Sequence, residues 1–246
     1  MNRVVISTLL IFGLGACNEK PKNDFIDKTE KQNIETSDSK YSTINLQFNS
    51  PTVLDSSDWV IYPLTLEELE ETETGFKSSS YDRQYAYWNI AFFNIETNQT
   101  RLLSDSLKML IHSFSPISEW LNKSAQRSGT NEGFISYTIT TRDSNSDGKL
   151  DFGDSKYLFI SELSGQNFLQ ISPDNFDVIH WQPIDATRKI IIQARRDSNQ
   201  DKNFDGADEI ISFVYEIESQ KLAQVFSSDF NLATKKLLDS QWKKKK

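Results

Sequence analysis

The sequence predicts an all-β fold assembled from three four-stranded antiparallel units, and three observations lead to it. Short runs rich in β-branched and aromatic residues recur at regular spacing between turn signals. The segment 142–154 returns without a gap 54 residues later at 196–208, and ten of the 25 positions from 142 to 166 are identical in that register. Finally, 37% hydrophobic and 12% aromatic residues with only nine Gly in 246 suit a globular body, and exclude a collagen-like, coiled-coil or wholly disordered chain.

In the first unit, about 44–104, residues 44–48 alternate and run into Pro51, 58–62 form a second strand and 85–95 a third. A turn at Thr97-Asn98 then leads to a fourth strand at 100–103. The stretch 66–82 between the second and third strands opens on the helix-prone Leu66-Glu67-Glu68-Leu69-Glu70. The second unit, 107–171, predicts strands at 109–114, 134–139, 157–160 and 168–171 with a turn at Ser164-Gly165. The third, 176–226, predicts them at 178–181, 189–194, 210–217 and 222–226 with a turn at Glu218-Ser219. One register pairs Phe159 with Phe213, Glu162 with Glu216 and Gln166 with Gln220. The basic tail, 231–246, carries Leu237, Leu238 and Trp242 and suits a short terminal helix. Its four lysines at 243–246 read as a solvated terminus, with a headgroup or partner contact as the alternative.

Both repeated segments are predicted hairpin loops of one pattern. Asp143, Asn145, Asp147, Asp151 and Asp154 occupy positions 1, 3, 5, 9 and 12 of a twelve-residue loop, with Gly148 at 6, Lys149 at 7 and apolar Leu150 at 8. That spacing resembles the EF-hand and dockerin type of calcium loop, in which alternate oxygens converge on one ion, position 7 offers a backbone carbonyl and Gly at 6 permits the turn. The resemblance implies Ca2+ as the counter-charge for four carboxylates that would otherwise repel. Position 12 is Asp, as in dockerin-like loops, and strands flank the loop, so the EF-hand's helices are not implied. The second loop keeps Asp197, Asn199, Asp201, Asp205 and Asp208, with Asn203 at position 7 and Phe204 at 8. Lys202 replaces the glycine, and its backbone restriction and charge both oppose an ion, so a weaker or vestigial site is expected; Glu209 could stand in for Asp208. The expected role is a structural brace, and the alternative is a pair of solvated polar loops.

At the other end, Met1-Asn2-Arg3 precedes an apolar stretch, 4–14, too short to anchor stably across a bilayer. Leu14-Gly15-Ala16-Cys17 closes it and resembles the lipobox of bacterial lipoproteins. The resemblance implies a signal peptide at 1–16 and a lipid on Cys17, the sole cysteine. Asn18, where Asp would favour inner-membrane retention, implies an outer-membrane destination in the cell envelope. Residues 17–43 are polar and predict a flexible tether.

Units of about 50 residues with an apolar strand ending in Pro, the run Tyr157-Leu158-Phe159-Ile160-Ser161-Glu162 turning at Gly165, and a closing Phe168-Leu169-Gln170-Ile171 resemble blades of TolB-like β-propellers over about 44–226. Three blades are fewer than such a ring holds, which leaves an open array, a twisted sandwich or a ring completed as a homodimer. One Cys and two His exclude a disulfide framework and a multi-cysteine zinc site, and a net charge of −8 disfavours nucleic acid. His112 and His180, at matching places in their units, read as packing residues with one satisfied hydrogen bond. Trp59, Trp88, Trp120 and Trp181 read as core, with a carbohydrate-binding face as the alternative. No catalytic motif stands out. The expectation is a membrane-anchored, non-enzymatic binding or assembly module with a protein or glycan partner; the alternative is an envelope glycan hydrolase or carbohydrate-binding protein.

Overall fold

The computed structural model describes residues 45–54, 57–65, 86–117, 133–184 and 187–242. The expected signal peptide at 1–16, the expected tether at 17–43 with Cys17, the stretch 66–82, Trp120 and the four terminal lysines lie outside them. Among the described residues thirteen strands and one helix follow in order: β1 (Gln47–Phe48), β2 (Thr52–Val53), β3 (Trp59–Thr65), β4 (Tyr87–Asn94), β5 (Thr100–Leu102), β6 (Leu110–Pro116), β7 (Phe134–Thr140), β8 (Tyr157–Glu162), β9 (Leu169–Gln170), β10 (Phe176–Ile184), β11 (Lys189–Arg196), β12 (Glu209–Glu216), β13 (Lys221–Gln224) and α1 (Ser228–Trp242).

Every pairing is antiparallel, and neither sheet closes into a barrel. The last four strands form a sheet of their own in the order β10-β11-β12-β13. The first nine do not divide as the repeat pattern suggests: they make one nine-stranded sheet, in which β4 and β6 meet at the pair Tyr87↔Ile111. A fifth strand in the first unit, β2, was also not anticipated. It lies with β1 along the same edge of β3, and Pro51 between them lacks the N–H that a continuous ladder would need. Asn49 bridges the break, its amide donating to the Pro63 carbonyl at 2.8 Å.

Alternation dictates which faces are buried. In β11, Ile190, Ile192 and Ala194 point inward and are fully buried, while Lys189 and Arg196 at its ends are exposed. In β8 five consecutive residues are buried, because two cores meet across it. Tyr157 and Phe159 pack with Phe92, Ile111 and Tyr137, whereas Leu158 and Ile160 pack with Ile190, Ile192 and Phe213. Each such side chain contributes about 1.5–3 kcal/mol by leaving water. The turn after β8 fits only glycine: Gly165 has φ +75, and a Cβ there would lie 2.5 Å from the Phe92 ring.

Helix α1 begins earlier than the tail boundary at 231. Ser227 caps it, its hydroxyl accepting from the Phe230 amide at 3.2 Å. Among the described residues no helix is long and apolar enough to cross a membrane.

Candidate metal centre

The two acidic loops join β7 to β8 and β11 to β12, so each spans the mouth of a hairpin whose ladder fixes its ends. Both take one backbone path. Position 4 is left-handed in each, at Ser146 and Gln200 (φ 64 for both), and position 6 is left-handed at Gly148 (φ 85) and Lys202 (φ 64). Such a conformation costs a non-glycine residue about 1–2 kcal/mol, so something outside the residues themselves must hold it.

What holds it is a lattice of carboxylate and amide-oxygen bonds to backbone N–H groups. In the first loop Asp143 accepts from the amides of Asp147 (3.1 Å) and Gly148 (2.8 Å), Asn145 Oδ1 from Asp147 (3.0 Å), Asp147 from Lys149 (2.8 Å) and Asp151 from Gly153 (2.8 Å). Asp154 closes the loop, accepting from Ser144 at 2.7 Å and Asp151 at 3.0 Å. The second loop repeats these bonds except one, since the bond from the Asp147 amide to Asp143 has no counterpart at Asp197. Asp197 accepts from Lys202 (3.1 Å), Asn199 from Asp201 (3.1 Å), Asp201 from Asn203 (2.8 Å) and Asp205 from Ala207 (2.8 Å). Asp208 accepts from Ser198 (2.7 Å) and Asp205 (3.2 Å). The closing acids are the buried ones, Asp154 at 3% and Asp208 at 8% exposure.

The donor set is all oxygen, which suits a hard cation such as Ca2+. The side chains are nonetheless turned toward the loop amides, and among the described residues no group of three or more His, Cys, Asp or Glu side chains is gathered closely enough to hold a metal ion. Lys149 and Asn203 could offer only their carbonyls, as the spacing anticipates. One oxygen is left over: Asp197 Oδ1 is buried and has no hydrogen-bond partner. Glu209 does not stand in for Asp208, because its carboxylate is held by Arg196 at 2.6 Å and Lys235 at 2.9 Å. The Lys235 bond, with the two positive charges, keeps that carboxyl below the usual glutamate range.

Three contacts around the loops lay beyond sequence reasoning. The serine at position 2 ties the ends: Ser144 Oγ accepts from the Ser155 amide at 2.8 Å and Ser198 Oγ from the Glu209 amide at 3.1 Å. The signal was present, since Arg-Asp-Ser-Asn is identical in both copies. Lys202 Nζ donates to Ser146 Oγ at 3.0 Å, linking one loop to the other. Nothing in either loop alone announces that contact.

Below the first loop lies His112, half-buried, with Nε2 2.8 Å from Thr140 Oγ1. The Thr140 hydroxyl donates its only proton to the Ser155 carbonyl at 3.1 Å, so the imidazole must be the donor and Nε2 carries the hydrogen. Phe152 packs edge-on at 5.3 Å. Burial, with the Lys156 charge second, lowers the His112 pKa to about 4. His180, by contrast, is exposed in β10. Trp59 and Trp181 pack against the first and second cores.

Between the loops Arg142, Tyr157, Phe176, Arg196, Lys202 and Phe204 line a cleft of about 500 Å³. Both arginines are already committed: Arg142 lies 2.8 Å from Asp174 and over the Tyr157 ring, and Arg196 is paired with Glu209. No protein-family model matches the chain, and no curated protein matches it.

Proposed function

We propose that the chain is an exported bacterial lipoprotein, held to the cell envelope through Cys17, whose β body is a non-enzymatic binding or assembly module built of blade-like units. In this reading Ca2+ braces the first acidic loop and, more weakly, the second. The observation that supports it is the lattice itself. Two loops 54 residues apart present five oxygen-bearing side chains at the same five positions on the same strained backbone, although one has lost its turn glycine. Asp143, Asn145, Asp147, Asp151 and Asp154, with the Lys149 carbonyl, would hold the first ion. Bound there, Ca2+ supplies positive charge among four carboxylates and no chemistry. Asp197, with its unpartnered oxygen, would lead the second set.

Calorimetry of the Cys17→Ser chain tests the calcium reading. Calcium at a hundred times its dissociation constant should add about 2.7 kcal/mol of stability, chelator should remove it, and Asp147→Ala should lose most of the response. A melting curve that chelator leaves unchanged would sink the proposal. For the anchor, Cys17→Ser should move the protein from the membrane to the soluble fraction in a high-salt wash.

A further inference from the structure

We infer that the cleft between β5 and the turn after β8 binds an acidic sugar, a saccharide unit that carries a carboxylate. This names a ligand class for the binding module proposed above and rests on that reading, but not on the lipid at Cys17 or on calcium. The cleft holds about 760 Å³, more than the one between the acidic loops and within the range of about 300–1,000 Å³ usual for small-molecule sites. Its walls come from two units. Trp59 opens β3, and Arg101 sits in β5 opposite Phe92, on the face that Phe92 turns to the first core. The turn after β8 lies against that same face, since a Cβ on Gly165 would come within 2.5 Å of the Phe92 ring, and Gln166 and Phe168 follow it. Phe168 is fixed by stacking on Phe159 at 4.9 Å and by meeting Tyr137 edge-on at 5.6 Å. Trp59 and Phe168 are half-buried and line the cleft, with exposed Gln99, Gln166 and Asp105 around them.

Arg101, which also lines the cleft, selects the occupant. Among the described residues the other arginines are all bonded: Arg142 to Asp174, Arg188 to Glu218, Arg195 to the Phe204 carbonyl and Arg196 to Glu209. Arg101 makes no hydrogen bond or ion pair among these residues, although it is half-buried and its Nε is buried without an acceptor. Carboxylates are not scarce, since the chain has 35 acidic residues against 27 basic ones. A partly dehydrated guanidinium held in place matches a carboxylate through two parallel N–H···O bonds. The C–H faces of a sugar ring suit the Trp59 and Phe168 rings, and the Gln99 and Gln166 amides can exchange hydrogen bonds with its hydroxyls. Asp105 decides between anions. A singly charged carboxylate meets its repulsion once, whereas a dianionic phosphate would meet it twice with no second arginine to offset it.

The experiment is titration calorimetry of the Cys17→Ser chain with oligogalacturonate, oligoguluronate and hyaluronan fragments, each beside its methyl ester, and with polyglutamate. At least one acidic sugar should bind, with its ester about tenfold weaker. Arg101→Gln should weaken the acid about tenfold and leave the ester unchanged, while its thermal midpoint holds or rises, because a buried donor without an acceptor has been removed. A fall in the midpoint with binding intact would make Arg101 structural and overturn the inference. Gln99→Ala, at an exposed side chain, should weaken acid and ester alike. Equal affinity for acid and ester would overturn the inference and leave the binding-module reading standing. Arg101-dependent binding of polyglutamate alone would give the cleft to an acidic peptide, and no binding of any probe would remove the site; either overturns the inference.

Discussion

The first and second acidic loops sit on equivalent hairpins, carry the same acids at the same positions and share all but one of their amide bonds, yet one has Gly148 at position 6 and the other Lys202. The difference teaches where the loop's shape comes from. A glycine reaches positive φ freely, but Lys202 holds φ 64 only because the Asp197 carboxylate accepts its amide and the β11–β12 ladder clamps both ends. Loop geometry is therefore a property of the acid lattice and the hairpin, and the glycine relieves strain without creating the path.

The comparison breaks most severely at position 12. Asp154→Ala strands the amides of Ser144 and Asp151 in a buried site and should lower stability by about 3 kcal/mol in chemical denaturation. Asp208→Ala, at the less buried copy, should cost about 2 kcal/mol, and a larger loss there would reverse the ranking of the two loops.

The next effect belongs to the first loop alone, since only His112 is packed beneath one. Its folded pKa is depressed to about 4 from 6.5, so the unfolded chain takes up a proton first as the pH falls. Stability should thus decline as the pH drops from 6.5 and level off below about 4. At about 1.4 kcal/mol per unit, discounted for partial exposure, the decline is roughly 2 kcal/mol. His112→Gln should remove this part of the pH dependence. A wild-type and variant difference that stays constant from neutral pH to about pH 4 would refute the assignment.

Smallest is the exchange at position 6. Gly148→Lys has open space for its side chain but a φ of +85, and should cost about 1 kcal/mol. Lys202→Gly should change stability by less than about 1 kcal/mol, because lost strain is offset by a more flexible unfolded chain. Its sharper readout is titration calorimetry, where calcium affinity at the second loop should rise.

Much of this architecture is legible in local pattern. All twelve anticipated strands occur, with ends displaced by a few residues, because alternation and β-branched runs are local signals. The union of the first two units at Tyr87↔Ile111 was not legible, since one long-range pair leaves no periodic trace. Neither was the double burial of β8, although its run from Tyr157 to Ile160 is wholly apolar; a run of four can be read as a strand without saying what covers each face. At the candidate metal centre, spacing names the acids and their order. It cannot say that their oxygens face amides, or that Glu209 belongs to Arg196 and Lys235.

The bond from Lys202 to Ser146 has a consequence for how this chain can vary. Here the residue that most distinguishes the second loop reaches into the first, so the two hairpins are not independent of one another. A substitution at 202 alters the surroundings of the first loop, and a double-mutant cycle between 202 and 146 should measure that epistasis directly.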